Sequence, residues 1–284
     1  MRAIRDFLSQ DGASLRDALA LTSNEARLEV QMLLQHVLKV PRAWLLAHPE
    51  QVLDEAQASA FAALLQRRLH GEPIAYILGE REFFGLDFKV TPATLIPRPE
   101  TELLVELALQ RIPARGHFRV LDLGAGSGAI ALSIAHARPE AEVVAVDALE
   151  AALQVARANA AHLGVHNASF RQSDWFAALD GQRFDLIVSN PPYVAAGDMH
   201  LGQGDVRFEP LSALASGPDG LDDIRCIIGE AGDHLEKNAW LMLEHGYDQA
   251  SAVRALLQQN GFEEVYSVKD MAGIERVSCG CLRD

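Results

Sequence analysis

The chain has little cysteine, no long hydrophobic run and no concentration of positive charge. Three cysteines in 284 residues, Cys226, Cys279 and Cys281, are too few and too clustered for a disulfide framework. Cys279-Gly280-Cys281 lacks metal-ligand spacing and reads as strand packing; no metal site is expected. No apolar run approaches membrane-spanning length, and Met1-Arg2-Ala3-Ile4-Arg5-Asp6 has neither a long apolar core nor a cleavage-like site. Internal repeats, low-complexity tracts and Lys/Arg-rich stretches are also missing. A cytoplasmic, reducing setting without membrane contact is therefore expected, and monomer is the default state.

Apolar residues make up 49% of the chain and charged residues 23%, enough for a substantial core. The net charge is −14. Residues 1–80 hold eight Lys/Arg against ten Asp/Glu, and the remainder seventeen against twenty-nine, so the acidity lies in the later part. Such a body repels a phosphate backbone and argues against non-specific nucleic-acid binding. It either keeps the protein soluble or tolerates a basic protein partner.

Residues 1–72 read as short helices forming a small N-terminal bundle. Asn24 is expected to cap a helix with Val30, Leu33, Leu34, Val37 and Leu38 on one face. Asp54 with Gln57 three residues on resembles a capping box, opening a helix that buries Phe61, Leu64, Leu65 and Leu69. This part carries no chemical motif, so docking of a partner or packing is its expected job. Residues 73–99 form a linker: a β-hairpin between Ile74 and Val90 around Gly79 and Gly85, then a connector with Pro92, Pro97 and Pro99. From residue 100 to 284 strands and helices alternate, which means a parallel sheet covered on both faces, with ligands at the carboxyl ends of its strands.

The most informative stretch is Asn190-Pro191-Pro192-Tyr193, directly after the apolar run Phe184–Ser189. Two prolines fix φ and remove two backbone donors, leaving the Asn190 side chain and nearby carbonyls as acceptors. That corner suits a planar –NH2 group, with the Tyr193 ring beside it; alone, it could equally be a strand-terminating turn. Upstream lies Asp122-Leu123-Gly124-Ala125-Gly126-Ser127-Gly128, where a strand meets a helix. Its glycines let a ligand approach bare backbone near a helix N-terminus. The spacing is Gly-x-Gly-x-Gly, which differs from the dinucleotide fingerprint Gly-x-Gly-x-x-Gly. Asp147 closes the next strand, 19 residues after Gly128. It can accept from both hydroxyls of a ribose or cap the following helix; with the glycine loop upstream, the ribose is favoured. Asp174 and Trp175 follow the third strand, where they can accept from an exocyclic amine and lie beside an adenine.

These residues outline a nucleoside pocket without a phosphate clamp, because the glycine loop holds no Lys or Arg. S-adenosylmethionine, a nucleoside with an amino-acid tail, fits better than NAD or ATP, and S-adenosylhomocysteine would be the product. Asp-Leu-Gly-x-Gly-x-Gly together with Asn-Pro-Pro-Tyr resembles the class I methyltransferases that modify exocyclic or amide nitrogen. Leu95-Ile96-Pro97-Arg98-Pro99-Glu100-Thr101-Glu102, Gly202–Pro210 and Leu243-Glu244-His245-Gly246 narrow the resemblance to the peptide chain release factor glutamine methyltransferases, the HemK/PrmC family. It runs over essentially the whole chain.

The resemblance implies an α/β, class I (Rossmann-like) methyltransferase with a seven-stranded, mostly parallel sheet, preceded by the helical bundle and hairpin linker. It implies methylation of N5 of the glutamine in the Gly-Gly-Gln motif of class 1 bacterial release factors. Gly124, Ala125, Gly126, Ser127, Gly128, Asp147, Asp174, Trp175 and Asn190 would then hold the cofactor. Asn190, Pro191, Pro192 and Tyr193 would hold the substrate amide, with Asn190, Pro191 and Tyr193 catalytic. The Asn190 side-chain oxygen and the Pro191 carbonyl would accept the two amide hydrogens while Tyr193 packs on the amide plane. Arg98, Arg207 and Glu209 either line the substrate side or form ion pairs that hold a loop. The Glu244-His245 pair is expected to be structural. One rival is an adenine-N6 methyltransferase on DNA or RNA, which the acidic charge disfavours; a non-catalytic cofactor-binding module is another, and a dehydrogenase is more distant.

Overall fold

The computed structural model describes residues 2–283, in two compact units. One unit runs up to Gly79 and includes Gly202–Phe208; the other holds Glu80–Leu201 and the chain from Glu209 onward.

The first unit is helical: α1 (Ile4–Leu19), α2 (Ser23–Leu38), α3 (Arg42–Ala47), α4 (Glu55–Leu69) and α5 (Ile74–Leu78). Two of these helices start on reciprocal capping boxes. At α4, Gln57 N donates to Asp54 Oδ1 at 2.8 Å and Asp54 N to Gln57 Oε1 at 3.0 Å, as expected. At α2 the cap is Thr22, two residues before the expected Asn24. Thr22 pairs with Glu25, whose Oε2 takes the Thr22 amide at 2.8 Å, whereas Asn24 has Arg27 three residues on and no partner of that kind. Ile4, Phe7, Leu15, Val30, Leu33, Leu34, Leu45 and Phe61 form the core, with Phe7 edge-on to Phe61 at 4.9 Å. α5 corrects the expected hairpin. Pro73 precedes it, Gly79 ends it in the left-handed region at φ +77°, and Ile77 is buried in the helical core. Tertiary burial has outweighed the β-branched composition.

Arg68, on α4, is the electrostatic centre of this unit. Its guanidinium, 3% exposed, donates to Glu29 at 2.8 and 3.1 Å and to Asp205 at 2.9 Å. Arg207 Nη2 donates to His70 O at 3.0 Å. Of the two roles open to Arg207, the loop-holding one is what the contacts display.

The second unit begins with a hairpin, β1 (Glu80–Phe83) and β2 (Leu86–Lys89), closed by Phe84-Gly85, both at positive φ, as a tight hairpin turn requires. Then follow α6 (Glu102–Arg111), β3 (Arg119–Leu123), α7 (Ala129–Ala137), β4 (Glu142–Asp147), α8 (Glu150–Leu163), β5 (Ala168–Gln172) and β6 (Phe184–Ser189). The chain closes through α9 (Asp222–His234), β7 (Leu235–Glu244), α10 (Ala250–Gln259), β8 (Phe262–Lys269) and β9 (Glu275–Leu282). Seven strands make one sheet in the order β5-β4-β3-β6-β7-β9-β8, and only β9 runs antiparallel to its neighbours.

Period-two side chains feed two cores. Val120, Leu186, Val188 and Met242 face α6, α7 and α8, while Leu121, Leu123, Ile187, Leu241 and Leu243 face α9 and α10. This is the expected class I methyltransferase architecture. α8 ends at Leu163, where Gly164 turns left-handed at φ +66°. Among the described residues, no helix is long and apolar enough to cross a membrane.

Arg68→Ala would leave the Glu29 carboxylate largely buried and unpaired. The variant is expected to lose about 3 kcal/mol of stability in urea unfolding, and Arg68→Lys to recover only part, because an ammonium cannot fork between two carboxylates.

Candidate active site

β3 pairs with β4 on one side and with β6 on the other, so the order of strands reverses between β3 and β6. Open parallel sheets bind ligands at such a point, since the loops leaving it diverge to opposite faces. Here Leu123 lies opposite Ser189, and the Ser189 hydroxyl donates to Leu123 O at 2.7 Å. Gly124 and Asn190 therefore leave the sheet side by side. At these strand ends opens a cavity of ≈ 290 Å³. Gly124, Ala125, Gly126, Ser127, Asp147, Asp174, Trp175, Asn190 and Pro192 line it, with Thr94, Leu95, Pro97, Arg98 and Thr101 from the connector. Gly128, Pro191 and Tyr193 are not part of the lining.

The glycine loop is held by its own backbone. Gly124 N and Ala125 N both donate to Val146 O, at 2.9 and 2.8 Å, and Gly126 N donates to Asp147 Oδ2 at 2.9 Å. Gly126 sits at φ +54°, and a Cβ there would meet no protein atom within 4 Å, so bare backbone faces open space. Gly128 lies behind this wall: its φ is +82°, and a Cβ would meet Leu132 Cδ1 at 3.0 Å and Ala156 Cβ at 3.2 Å. Its smallness lets α7 approach α8. Asn159, fully buried on α8, donates to Ser127 O at 2.8 Å and Lys89 O at 3.0 Å, tying loop and hairpin together.

The cap position of α8 is held by Leu149, without a side-chain bond, and not by Asp147. Asp147 Oδ1 accepts from Leu149 N at 2.9 Å at the head of α8, and the side chain lines the cavity. A carboxylate has about four lone-pair sites, so ribose hydroxyls can share it with these two amides. Trp175 adopts φ +43°, costly for a bulky residue, and its ring lies 3.5 Å from where a Gly124 Cβ would be. Ser173 holds that turn, donating to Trp175 O at 2.7 Å and accepting from Ala178 N at 2.9 Å.

The side-chain Nδ2 of Asn190 donates to Thr101 Oγ1 at 3.1 Å, and its Oδ1 has no protein partner among the described residues. Tyr193 is placed differently from the expectation of a ring on the substrate plane. Its ring packs against the core that α9 and α10 cover, and its hydroxyl donates to Glu244 Oε1 at 3.4 Å. Burial, and then the charge of Glu244, hold the phenol well above its ordinary pKa. Glu209 is buried and accepts from Ile96 N at 3.0 Å and from the Arg98 guanidinium, so this pair holds the connector against the cavity.

The lining carries three carboxylates, Asp147, Asp174 and Asp223, against one guanidinium, Arg98. That balance opposes a polyphosphate and suits a ligand bearing a cationic group next to a nucleoside. The residues present thus fit S-adenosylmethionine.

Sequence reasoning missed Thr101 and set Glu244 aside. Glu244 is 1% exposed, its Oε2 has no hydrogen-bond partner, and burial pushes its pKa to about 7 against the pull of Thr101 and Arg276. The only available signal was the position of Glu244 at the end of the strand beside β6.

Family models match over much of the chain: a PrmC N-terminal domain at residues 13–79 and a Methyltransferase small domain at residues 100–205. The chain is 52% identical over 269 residues to the release factor glutamine methyltransferase of Bordetella pertussis, covering 94% of this chain and 99% of that protein. It is 47% identical over 268 residues to the Escherichia coli K12 protein of the same name, covering 94% and 96%. Among solved structures, a T. thermophilus 16S rRNA methyltransferase in complex with AdoMet and guanosine shares the fold at TM-score 0.53 and 24% identity, over 72% of this chain and 50% of that one.

Asp122, fully buried beneath the glycine loop, accepts from Ala131 N at 3.1 Å through Oδ2 while Oδ1 has no partner. Burial raises its pKa to about 7, opposed by the Ala131 amide. A folded pKa above the unfolded one means the folded state binds more protons, so this stability is present at low pH and lost as pH rises through about 7. The wild type should lose more melting temperature between about pH 5 and about pH 8 than Asp122→Asn; equal slopes would contradict the assignment.

Proposed function

This chain belongs to the release factor glutamine methyltransferases, and we propose that it transfers a methyl group from S-adenosylmethionine to the side-chain amide nitrogen of the glutamine in the Gly-Gly-Gln motif of class 1 release factors. The observation that carries the reading is Asn190: its Nδ2 is engaged by Thr101 at 3.1 Å, and its acceptor oxygen is left for a ligand at the cavity wall.

An amide nitrogen is a poor nucleophile because its lone pair is delocalised into the carbonyl. The Asn190 oxygen and the Pro191 carbonyl accept the two hydrogens of the substrate –NH2, which orients the nitrogen and raises its electron density. Bound S-adenosylmethionine supplies an electrophilic methyl on a cationic sulfur. The nitrogen so oriented would take that methyl through its lone pair, the S–C electron pair staying with sulfur, and would shed one proton to water. Asp147 takes the ribose hydroxyls, Asp174 the adenine amine, and Trp175 the adenine edge. Catalysis is mainly positioning, which can supply several kcal/mol.

Label from S-adenosylmethionine should reach purified release factor, and neither its Gln→Ala variant in the Gly-Gly-Gln loop nor duplex DNA; label on DNA instead would overturn the substrate assignment. Asn190→Ala should abolish turnover while cofactor affinity, measured by calorimetry, stays within about tenfold, or ~1.4 kcal/mol. Near wild-type turnover in that variant would refute the role given to Asn190.

A further inference from the structure

Two prolines strip the Asn-Pro-Pro-Tyr turn of two amide donors, so its backbone is braced through carbonyls and at its ends. At the entrance, the Ser189 hydroxyl donates to Leu123 O at 2.7 Å. We propose that Gln249 braces the exit and is a positioning residue for the substrate amide. Its side chain holds the Tyr193 carbonyl, and through it keeps the Asn190 and Pro191 oxygens in place at the cavity; this rests on the role given to Asn190 above.

Gln249 stands immediately before α10, in the connection that leaves β7. β6 and β7 are parallel neighbours with Ser189 opposite Leu243, so this connection and the Asn-Pro-Pro-Tyr turn leave the sheet side by side. Gln249 Nε2 donates to Tyr193 O at 3.0 Å, and Asp219 O and Gly220 O each lie 3.4 Å from the same nitrogen. At the other end of the amide, Gly246 N donates to Gln249 Oε1 at 2.8 Å. A backbone N–H can only donate and a carbonyl can only accept, so these partners fix which end of Gln249 faces which loop. One side chain thereby joins the turn after β6, the segment before α9 and the connection after β7.

The Tyr193–Val194 peptide is planar and is held at both edges: Val194 N donates to Leu214 O at 2.9 Å, and the Tyr193 carbonyl is held by Gln249. Between Ser189 and that plane the chain has Asn190, Pro191, Pro192 and Tyr193, two of them with φ fixed by the ring, so few torsions remain to displace the two acceptor oxygens. Space for the clamp comes from glycine. A Cβ on Gly220, at φ +76°, would lie 2.2 Å from Tyr193 O and 2.8 Å from Gln249 Nε2, and one on Gly246 would lie 2.9 Å from Gln249 Oε1. Gln249 is not part of the cavity lining, so it acts through Tyr193 and not by touching a ligand.

The test compares Gln249→Glu, which keeps an oxygen for Gly246 N but loses the donor, with Gln249→Met, which loses both bonds at similar length. Single-turnover methyl transfer to release factor at saturating cofactor should fall about tenfold or more in each at about pH 8, with cofactor affinity by calorimetry unchanged. Hydrogen exchange over residues 190–196 should quicken in both. Lowering the pH to about 5.5 should restore part of the Gln249→Glu rate relative to wild type, because a protonated carboxyl regains a donor for Tyr193 O, and none of the Gln249→Met rate. Gln249→Glu at wild-type rate would overturn the clamp. So would a deficit with the same pH dependence in both variants, or a rate loss matched by an equal loss of cofactor affinity. Wild-type enzyme that labels no glutamine would instead overturn the function itself, and the clamp with it.

Discussion

The pairing of β3 with β6 is the constraint on which the site depends. Both strands are buried but for Arg119 and Asp185, both continue into loops at the same edge, and their last residues, Leu123 and Ser189, are hydrogen-bonded partners. Everything the proposed chemistry needs from separate parts of the chain meets through that contact. The glycine loop leaves one strand and the Asn-Pro-Pro-Tyr turn the other, 66 residues apart in sequence. A one-residue slip would send alternate side chains to the wrong face and part the two loops. The two-sided core opposes such a slip, because each strand contributes apolar side chains to both layers.

Around this contact the protein places buried polar groups where they act on backbone. Asn159 joins the hairpin to the glycine loop, Ser173 holds Trp175 in a left-handed turn, and Glu209 draws the connector inward through Ile96 and Arg98. Buried polar networks specify one arrangement because any alternative leaves a partner unsatisfied. Such rigidity suits a reaction whose nucleophile is weak and whose rate rests on orientation more than on a strong base. Charge follows the same economy. The acidity of the chain, concentrated after residue 80, reappears in a cavity where carboxylates outnumber cations, a setting for a cationic group donor.

Much of this was legible in the sequence, because patterns of period two and glycine spacing are local consequences of backbone geometry. The alternation after residue 100 led to the doubly covered sheet, and the motifs led to Gly124–Ser127, Asp147, Asp174, Trp175 and Asn190, which share one cavity. Where the reading failed, distant partners had decided the outcome. Ile74–Leu78 is β-branched and aromatic, yet it coils into a helix since Ile77 has a helical core to enter. Thr22 outcompetes Asn24 as a cap only because Glu25 completes the reciprocal pair.

The sequence by itself determined the class of fold, the glycine loop and the Asn-Pro-Pro-Tyr turn, since each is written in neighbouring residues. Tertiary structure decided the rest. Gly128 could be assigned to helix packing, and the Tyr193 hydroxyl to Glu244, only once α8 and β7 were in place. Thr101 and Glu244 lie 89 and 54 residues from Asn190 in sequence, and no local pattern joins them to it. Folding brings Thr101 to Asn190 and Glu244 to Tyr193, where burial makes each donor and acceptor count.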